Sequence, residues 1–355
     1  MKIFRKIILF IFFLLIIVSC IVIIIDPFFH YHKPLPIIKY YMTGNQQRYI
    51  NNGMIRNFDY DAVIIGTSMT ENFRVSQFNK LFEVTSLKFP FSGGKYKEIN
   101  DNVRIILENK KDIKYILRGL DYGIINEEFE KMSYDNYPTY LYDDNVFNDY
   151  KYVLCRGSFF QCLLNIFTSF TDDNKKIDFD KYSSWREEES GKKVVLKTYE
   201  RLPKENIAKF LSQKDIQRID KNIEKNVIEL PEQYPNTRFI YFITPYSIVY
   251  WDELNQKGEL EKQIMAEKYM IKKILEVPNI ELYSFFNNYE MITNLDNYKD
   301  AGHYMGHIND QILVWIKNKE YRLTKENYIE YINQNLEFYK KYNYNKIFEE
   351  DTESL

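Results

Sequence analysis

The chain has 355 residues, enough to bury a full core, and its 48 Lys and Arg nearly balance 50 Asp and Glu, for a formal net charge of −2. No long Lys/Arg block is present, so the electrostatic footprint of a nucleic-acid binder is missing and nucleic acid is excluded as an expected partner. The 31 Tyr and 26 Phe would suit sugar-stacking surfaces, but a biased genome produces the same enrichment with no function attached.

Residues 7–25 are uncharged and almost wholly apolar. At a rise of about 1.5 Å per residue they come close to crossing a hydrocarbon core roughly 30 Å thick, which predicts a transmembrane anchor within 1–26. Lys2, Arg5 and Lys6 precede this run and Asp26 follows it. The positive-inside bias then keeps the N-terminus in the cytoplasm and puts the remainder outside, as a single-pass protein of a bacterial cell membrane. A cleaved signal peptide is the competing reading, but the apolar run exceeds a usual h-region and has no A-x-A-like site. Ile17-Val18-Ser19-Cys20 looks like a lipobox that would lipidate Cys20, and the apolar residues 21–25 argue against it. Cys155 and Cys162, if on one helix, would have Cα atoms about 10 Å apart, too far for a disulfide. Both are expected to be free, buried thiols.

Segment 27–59, rich in aromatics, Pro and Asn, is expected to be an extended lead-in to a main domain over 60–318. Short apolar runs at Tyr60–Gly66, Val84–Phe89, Ile113–Leu117, Phe239–Ile243 and Ile280–Phe285 read as buried parallel strands. Ile99, Val103, Ile106 and Leu107 share one face of a helix over 95–110, and another helix runs from Leu260 to Leu275. The alternation predicts an α/β fold, a three-layer α/β/α sandwich around a doubly wound, mostly parallel five-stranded sheet. Residues 126–201, weakly periodic and too long for a loop, predict a lid or side insertion. The polar segment 319–355 is expected to be a helical tail to about Tyr344, frayed beyond, and carries no assigned chemistry.

Ligands of open parallel sheets sit beyond the carboxyl ends of the strands, and Ser68 follows the first strand in Gly66-Thr67-Ser68-Met69-Thr70. Its bland reading is a helix N-cap. A nucleophilic serine needs a base, and of the four His residues His30 and His32 lie beside the membrane segment. His303 remains, in Asp300-Ala301-Gly302-His303, where Asp300 would orient the imidazole. The bland alternative is a surface loop whose Asp caps the following helix. His307 with His303 and Asp300 could also meet a metal ion, but no Glu follows His303 and Gly302 and Gly306 disfavour a helix, so no metal and no cofactor are expected. An α/β-hydrolase elbow fails because only one strand precedes Ser68 and Thr70 stands where the second Gly would be.

These blocks resemble the SGNH or GDSL-like hydrolases, over roughly 60–316. The resemblance aligns Ser68 with the family's nucleophile, with Thr67 where an Asp is usual, and Asp300 and His303 with its final Asp-x-x-His. Phe91-Ser92-Gly93-Gly94 is similar to the glycine block, which implies Gly93 and Ser68 as backbone oxyanion donors. Gly119-Leu120-Asp121 stands where Gly-x-Asn-Asp is usual, so Asp121 would donate to an oxyanion only if protonated. The resemblance implies a flavodoxin-like SGNH fold and a serine esterase or O-acyltransferase. Pro245-Tyr246-Ser247 and the anchor are closest to the branch that transfers acetyl or D-alanyl groups onto cell-envelope polysaccharide or teichoic-acid-like polymer, commonly beside a multi-pass membrane acyltransferase. The rival expectation is a degenerate domain that binds such a polymer or partner without turnover.

Overall fold

The computed structural model describes residues 1–110, 112–133, 137–143, 145–171, 177–205 and 207–349. The chain forms two compact units, Met1–Asp59 with Tyr134–Ser183, and Tyr60–Ser133 with Ser184–Leu355. The elements begin with α1 (Lys2–Ile25), α2 (Gln47–Asn57), β1 (Ala62–Gly66), α3 (Val75–Phe82), β2 (Ser86–Pro90), α4 (Tyr96–Asn109) and β3 (Tyr115–Leu120). They continue through α5 (Tyr150–Val153), α6 (Arg156–Thr171), α7 (Lys192–Thr198), α8 (Gln213–Ile223), α9 (Glu229–Gln233), β4 (Arg238–Ile243) and α10 (Ile248–Gln256). The last are α11 (Leu260–Ile274), β5 (Ile280–Ser284), α12 (Tyr289–Thr293), α13 (Gly306–Asn318), β6 (Arg322–Leu323) and α14 (Tyr328–Lys341).

In the first unit α1 is long and apolar enough to cross a membrane, its most apolar 18 residues having a mean hydropathy of 3.7 with few of them buried. Val22 and Ile25, in its last turn, are buried, and Val18, Ser19 and Ile21 just before are partly covered. The lead-in is not extended throughout: residues 47–57 form α2, with Ile50, Met54 and Ile55 buried. Its Gly53 sits so close to the preceding chain that a Cβ would lie 2.0 Å from the Phe28 carbonyl oxygen, so only glycine permits that packing. The segment expected as one insertion, 126–201, is divided, with 134–183 grouping with the lead-in and 184–201 with the larger unit. Cys20, Cys155 and Cys162 are free; Cys162 is buried on α6, whereas Cys155, expected to be buried, is half-exposed at its start.

The larger unit is α/β, with one mixed six-stranded sheet in the order β2-β1-β3-β4-β5-β6. β1 to β5 are parallel; β1 is wholly apolar, as burial on both faces favours, while β2 and β3 bury Lys88 and Arg118 within otherwise largely apolar strands. Val63, Ile64 and Ile65 of β1 are fully buried, worth about 1.5–3 kcal/mol each. The sheet has six strands rather than the expected five. β6 is two residues long, lies in a charged stretch and pairs antiparallel with the edge of β5, so no apolar run announced it. Helix α14 belongs to the packed core of this unit: Tyr339 stacks on Trp251 with ring centroids 3.8 Å apart, and the Tyr331 hydroxyl donates to Glu267 at 2.7 Å. Residues 350–355 of the tail expected to fray lie outside the described residues.

Candidate active site

The strand order reverses between β1 and β3, because β2 lies on one side of β1 and every later strand on the other. The carboxyl ends of these two strands therefore open a crevice, and the residues that leave them line it. The chain turns sharply after β1. A Cβ on Gly66 would lie 2.6 Å from the Thr70 side chain, so glycine is what allows the turn to fold back. Ser68 opens the single 3₁₀ turn that follows, and Thr67, not Ser68, occupies its N-cap position, its hydroxyl accepting from the Met69 N–H at 3.4 Å. The capping explanation for Ser68 is thus taken up by its neighbour.

Asp300 and His303 lie in the loop between α12 and α13, a loop pinned from several sides. The N–H and hydroxyl of Ser247, just after β4, both donate to the Ala301 carbonyl, at 3.0 and 2.9 Å. The Lys299 N–H donates to the His303 carbonyl at 2.9 Å, and a bridge joins Tyr298 to Tyr304. The Tyr304 hydroxyl and the Asn309 amide both donate to the Met69 carbonyl, at 3.0 and 3.1 Å, which ties this loop to the Ser68 turn. Met305, not Asp300, stands at the N-cap of α13.

The result is a continuous hydrogen-bond chain. Ser68 Oγ is 2.7 Å from His303 Nε2, and His303 Nδ1 is 2.8 and 3.0 Å from the two Asp300 oxygens. With Asp300 accepting from Nδ1–H, the imidazole presents Nε2 as an acceptor to the serine hydroxyl. Burial alone would raise the Asp300 carboxyl, but its hydrogen bond to His303, the imidazole charge and the N–H groups of His303 and Gly302 outweigh it and hold the group at about 2. Burial likewise pulls His303 down, and the hydrogen bond and charge of Asp300, with lesser help from Asp121 and Glu71, lift it above the ordinary histidine value. His303 and Asp300 keep 35% of their side-chain surface exposed, so the pair can meet a substrate.

A cavity of about 180 Å³ opens at Ser68 and is lined by Thr67, Met69, Gly93, Gly94, Lys95, Asp121, Ile124, Tyr246, Gly302 and His303. Gly93 has φ +67°, a left-handed conformation that favours glycine, and its carbonyl is held by the Ser133 hydroxyl. Asp121, at the end of β3, is only 4% exposed. Burial raises its pKa, against the Thr67 and Tyr246 hydroxyls and the positive groups His303 and Lys95, which favour the charged form. Tyr246 donates to Oδ1 at 3.1 Å, while Oδ2 has no hydrogen-bond partner of normal geometry among the described residues. Of the expected site residues, Ser68, Gly93, Asp121 and His303 share this cavity and Asp300 stands directly behind His303.

The sequence assigns no role at the site to two further residues. Tyr246 reaches it from the end of β4, and Trp185 sets its ring edge-on to His303 at 5.6 Å. Trp185 is fixed by its own N–H donating to the Asn72 side chain at 2.9 Å and by Arg186, which donates to the Asn72 carbonyl at 2.8 Å and binds Asp310. Tyr246 stands out in the sequence only within Pro245-Tyr246-Ser247 after the fourth strand; Trp185 is remote in sequence from every motif. His307 bonds Asn297 at 3.0 Å and takes no part in the triad. Comparison with known families and curated proteins found no family model and no curated protein that matches this chain.

Proposed function

We propose that this is a serine-dependent acyl-transfer enzyme of the SGNH-like kind, anchored by α1 and working outside the membrane on acyl esters of an envelope carbohydrate or similar polymer. The observation that carries the reading is the Ser68–His303–Asp300 chain of hydrogen bonds facing a cavity that also holds candidate oxyanion donors. The sheet order, with its reversal between β1 and β3, supports the flavodoxin-like, three-layer version of the fold.

In this mechanism Ser68 Oγ attacks the acyl carbonyl and its proton passes to His303 Nε2. The N–H groups of Ser68 and Gly93 hold the oxyanion, joined by the carboxyl of Asp121 in its protonated form. The tetrahedral species collapses, His303 returns the proton to the departing alcohol oxygen, and an acyl-serine remains. A sugar hydroxyl or water, deprotonated by His303, then attacks the acyl-serine and releases Ser68. The first acceptor gives an O-acyltransferase and the second an esterase.

A second reading, a domain that binds an acylated polymer or a multi-pass membrane acyltransferase without turnover, is favoured by one observation, the carboxyl of Asp121 where a neutral donor is needed. An ionised Asp121 would repel the oxyanion. The test is release of acetate from a chromogenic acetyl ester by the full-length protein, with and without a soluble oligosaccharide acceptor. Release abolished by Ser68→Ala supports the enzyme; equal rates in both proteins contradict it.

A further inference from the structure

In a water-facing helix the apolar stripe turns inward and the polar face outward. Helix α6 does the reverse. Its Ser158, Gln161 and Asn165 are buried, while Phe160, Leu163, Leu164, Phe167 and Phe170 form an outward stripe at helical spacing. The three phenylalanines are 54%, 64% and 85% exposed. Most of the inward side is used to hold the lead-in: Gln161 donates to the Tyr41 carbonyl at 2.9 Å, Asn165 accepts from the Tyr41 N–H at 3.1 Å, and Ser169 accepts from the Lys39 N–H at 2.8 Å. Lone exposed apolar residues are ordinary, but an unbroken apolar face of several turns on a helix that hides its amides marks contact with something apolar.

The position of α6 within its unit says what that is. It packs on α1, whose buried residues are Val22 and Ile25 in the last turn. The Tyr40 hydroxyl donates to the Ile25 carbonyl at 2.7 Å, and Tyr40 lies between the two residues, 39 and 41, that bond along α6. Asp26 fixes the exit of α1, its carboxylate accepting from the N–H groups of His30, Tyr31 and His32 and from the Tyr152 hydroxyl. Helix α6 is therefore held at the level where α1 leaves the hydrocarbon, the depth at which phenylalanine and leucine side chains partition into the acyl boundary.

We infer that the outward face of α6 lies in the interfacial layer of the same bilayer that α1 crosses, giving the protein a second, lateral membrane contact. The occupant of this face is lipid. The inference rests on α1 spanning the bilayer and is independent of the acyl chemistry proposed above.

The test uses the full-length protein in vesicles of phosphatidylcholine and phosphatidylglycerol, with Cys20, Cys155 and Cys162 replaced by Ala. An environment-sensitive fluorophore is placed on Phe167→Cys and, separately, on Phe170→Cys, and on Lys272→Cys as a water-exposed reference. Both α6 positions point outward, so neither substitution opens the interior. Quenching by a lipid carrying a shallow nitroxide should be at least about threefold stronger at both α6 positions than at the reference, with iodide quenching correspondingly weaker. Iodide quenching as strong as at the reference, with no quenching from lipid, would overturn the inference and leave the face to a protein partner.

Discussion

Two carboxyl groups flank the same serine, and their surroundings push them in opposite directions. Asp300, in the loop after α12, has N–H and imidazole donors around both oxygens and is held ionised. Asp121, at the end of β3, is buried with one hydroxyl on Oδ1 and no regular partner on Oδ2, and its pKa moves up. Residue type therefore says little about role here. Environments that separate two like groups are what divide a charge-stabilising part from a hydrogen-bond-donating part in one active site.

Breaking the Asp300 side of this comparison should cost most. His303→Ala should reduce turnover by about 10⁴–10⁶-fold with the fold retained by circular dichroism, since base and acid vanish together. Asp300→Asn should cost on the order of 10⁴-fold in kcat, because the amide no longer fixes the tautomer that presents Nε2 to Ser68. On the other side, Asp121→Ala should cost about 10²–10³-fold, the usual worth of an oxyanion donor. Asp121→Asn, a neutral donor at every pH, should stay within about tenfold of the parent.

The pH profile sharpens the contrast. His303 must be neutral to accept the serine proton, and its pKa is raised, so activity should fall as pH drops through a value above the ordinary histidine value of about 6.5. Asp300 remains ionised throughout that range. Burial raises the Asp121 pKa, and only its protonated form can donate, so Asp121→Asn, a donor at every pH, should gain on the parent as pH rises. Tyr246→Phe should raise the Asp121 pKa further and narrow that gain, since the Tyr246 hydroxyl favours the charged carboxylate. His307→Ala, outside the triad, should change rates by less than about threefold, measured in the same assay.

What was legible in the sequence follows physical lines. The five parallel strands were legible because burial on both faces favours short apolar runs, unbroken in Ala62-Val63-Ile64-Ile65 and interrupted only singly elsewhere, as by Lys88 or Arg118. Ser68 was legible from its place after β1, and His303 from the scarcity of histidine. β6 was not, because a two-residue strand at a sheet edge is defined by its partner and not by its own residues. Trp185 was not, because the Asn72 and Asp310 contacts that carry it to His303 are long-range. The two-unit division also escaped notice. The pairing of 134–183 with the lead-in depends on contacts such as Gln161 with Tyr41, in which the polar residues of α6 are the buried ones.

The most direct test of the central claim is reaction of the full-length protein with a fluorophosphonate, read by intact mass and peptide mapping, with Ser68→Ala as control. The account predicts one stoichiometric adduct, on Ser68, lost in Ser68→Ala and strongly slowed in His303→Ala. A folded protein that takes no label, or takes it equally after Ser68→Ala, would contradict an activated serine at this site.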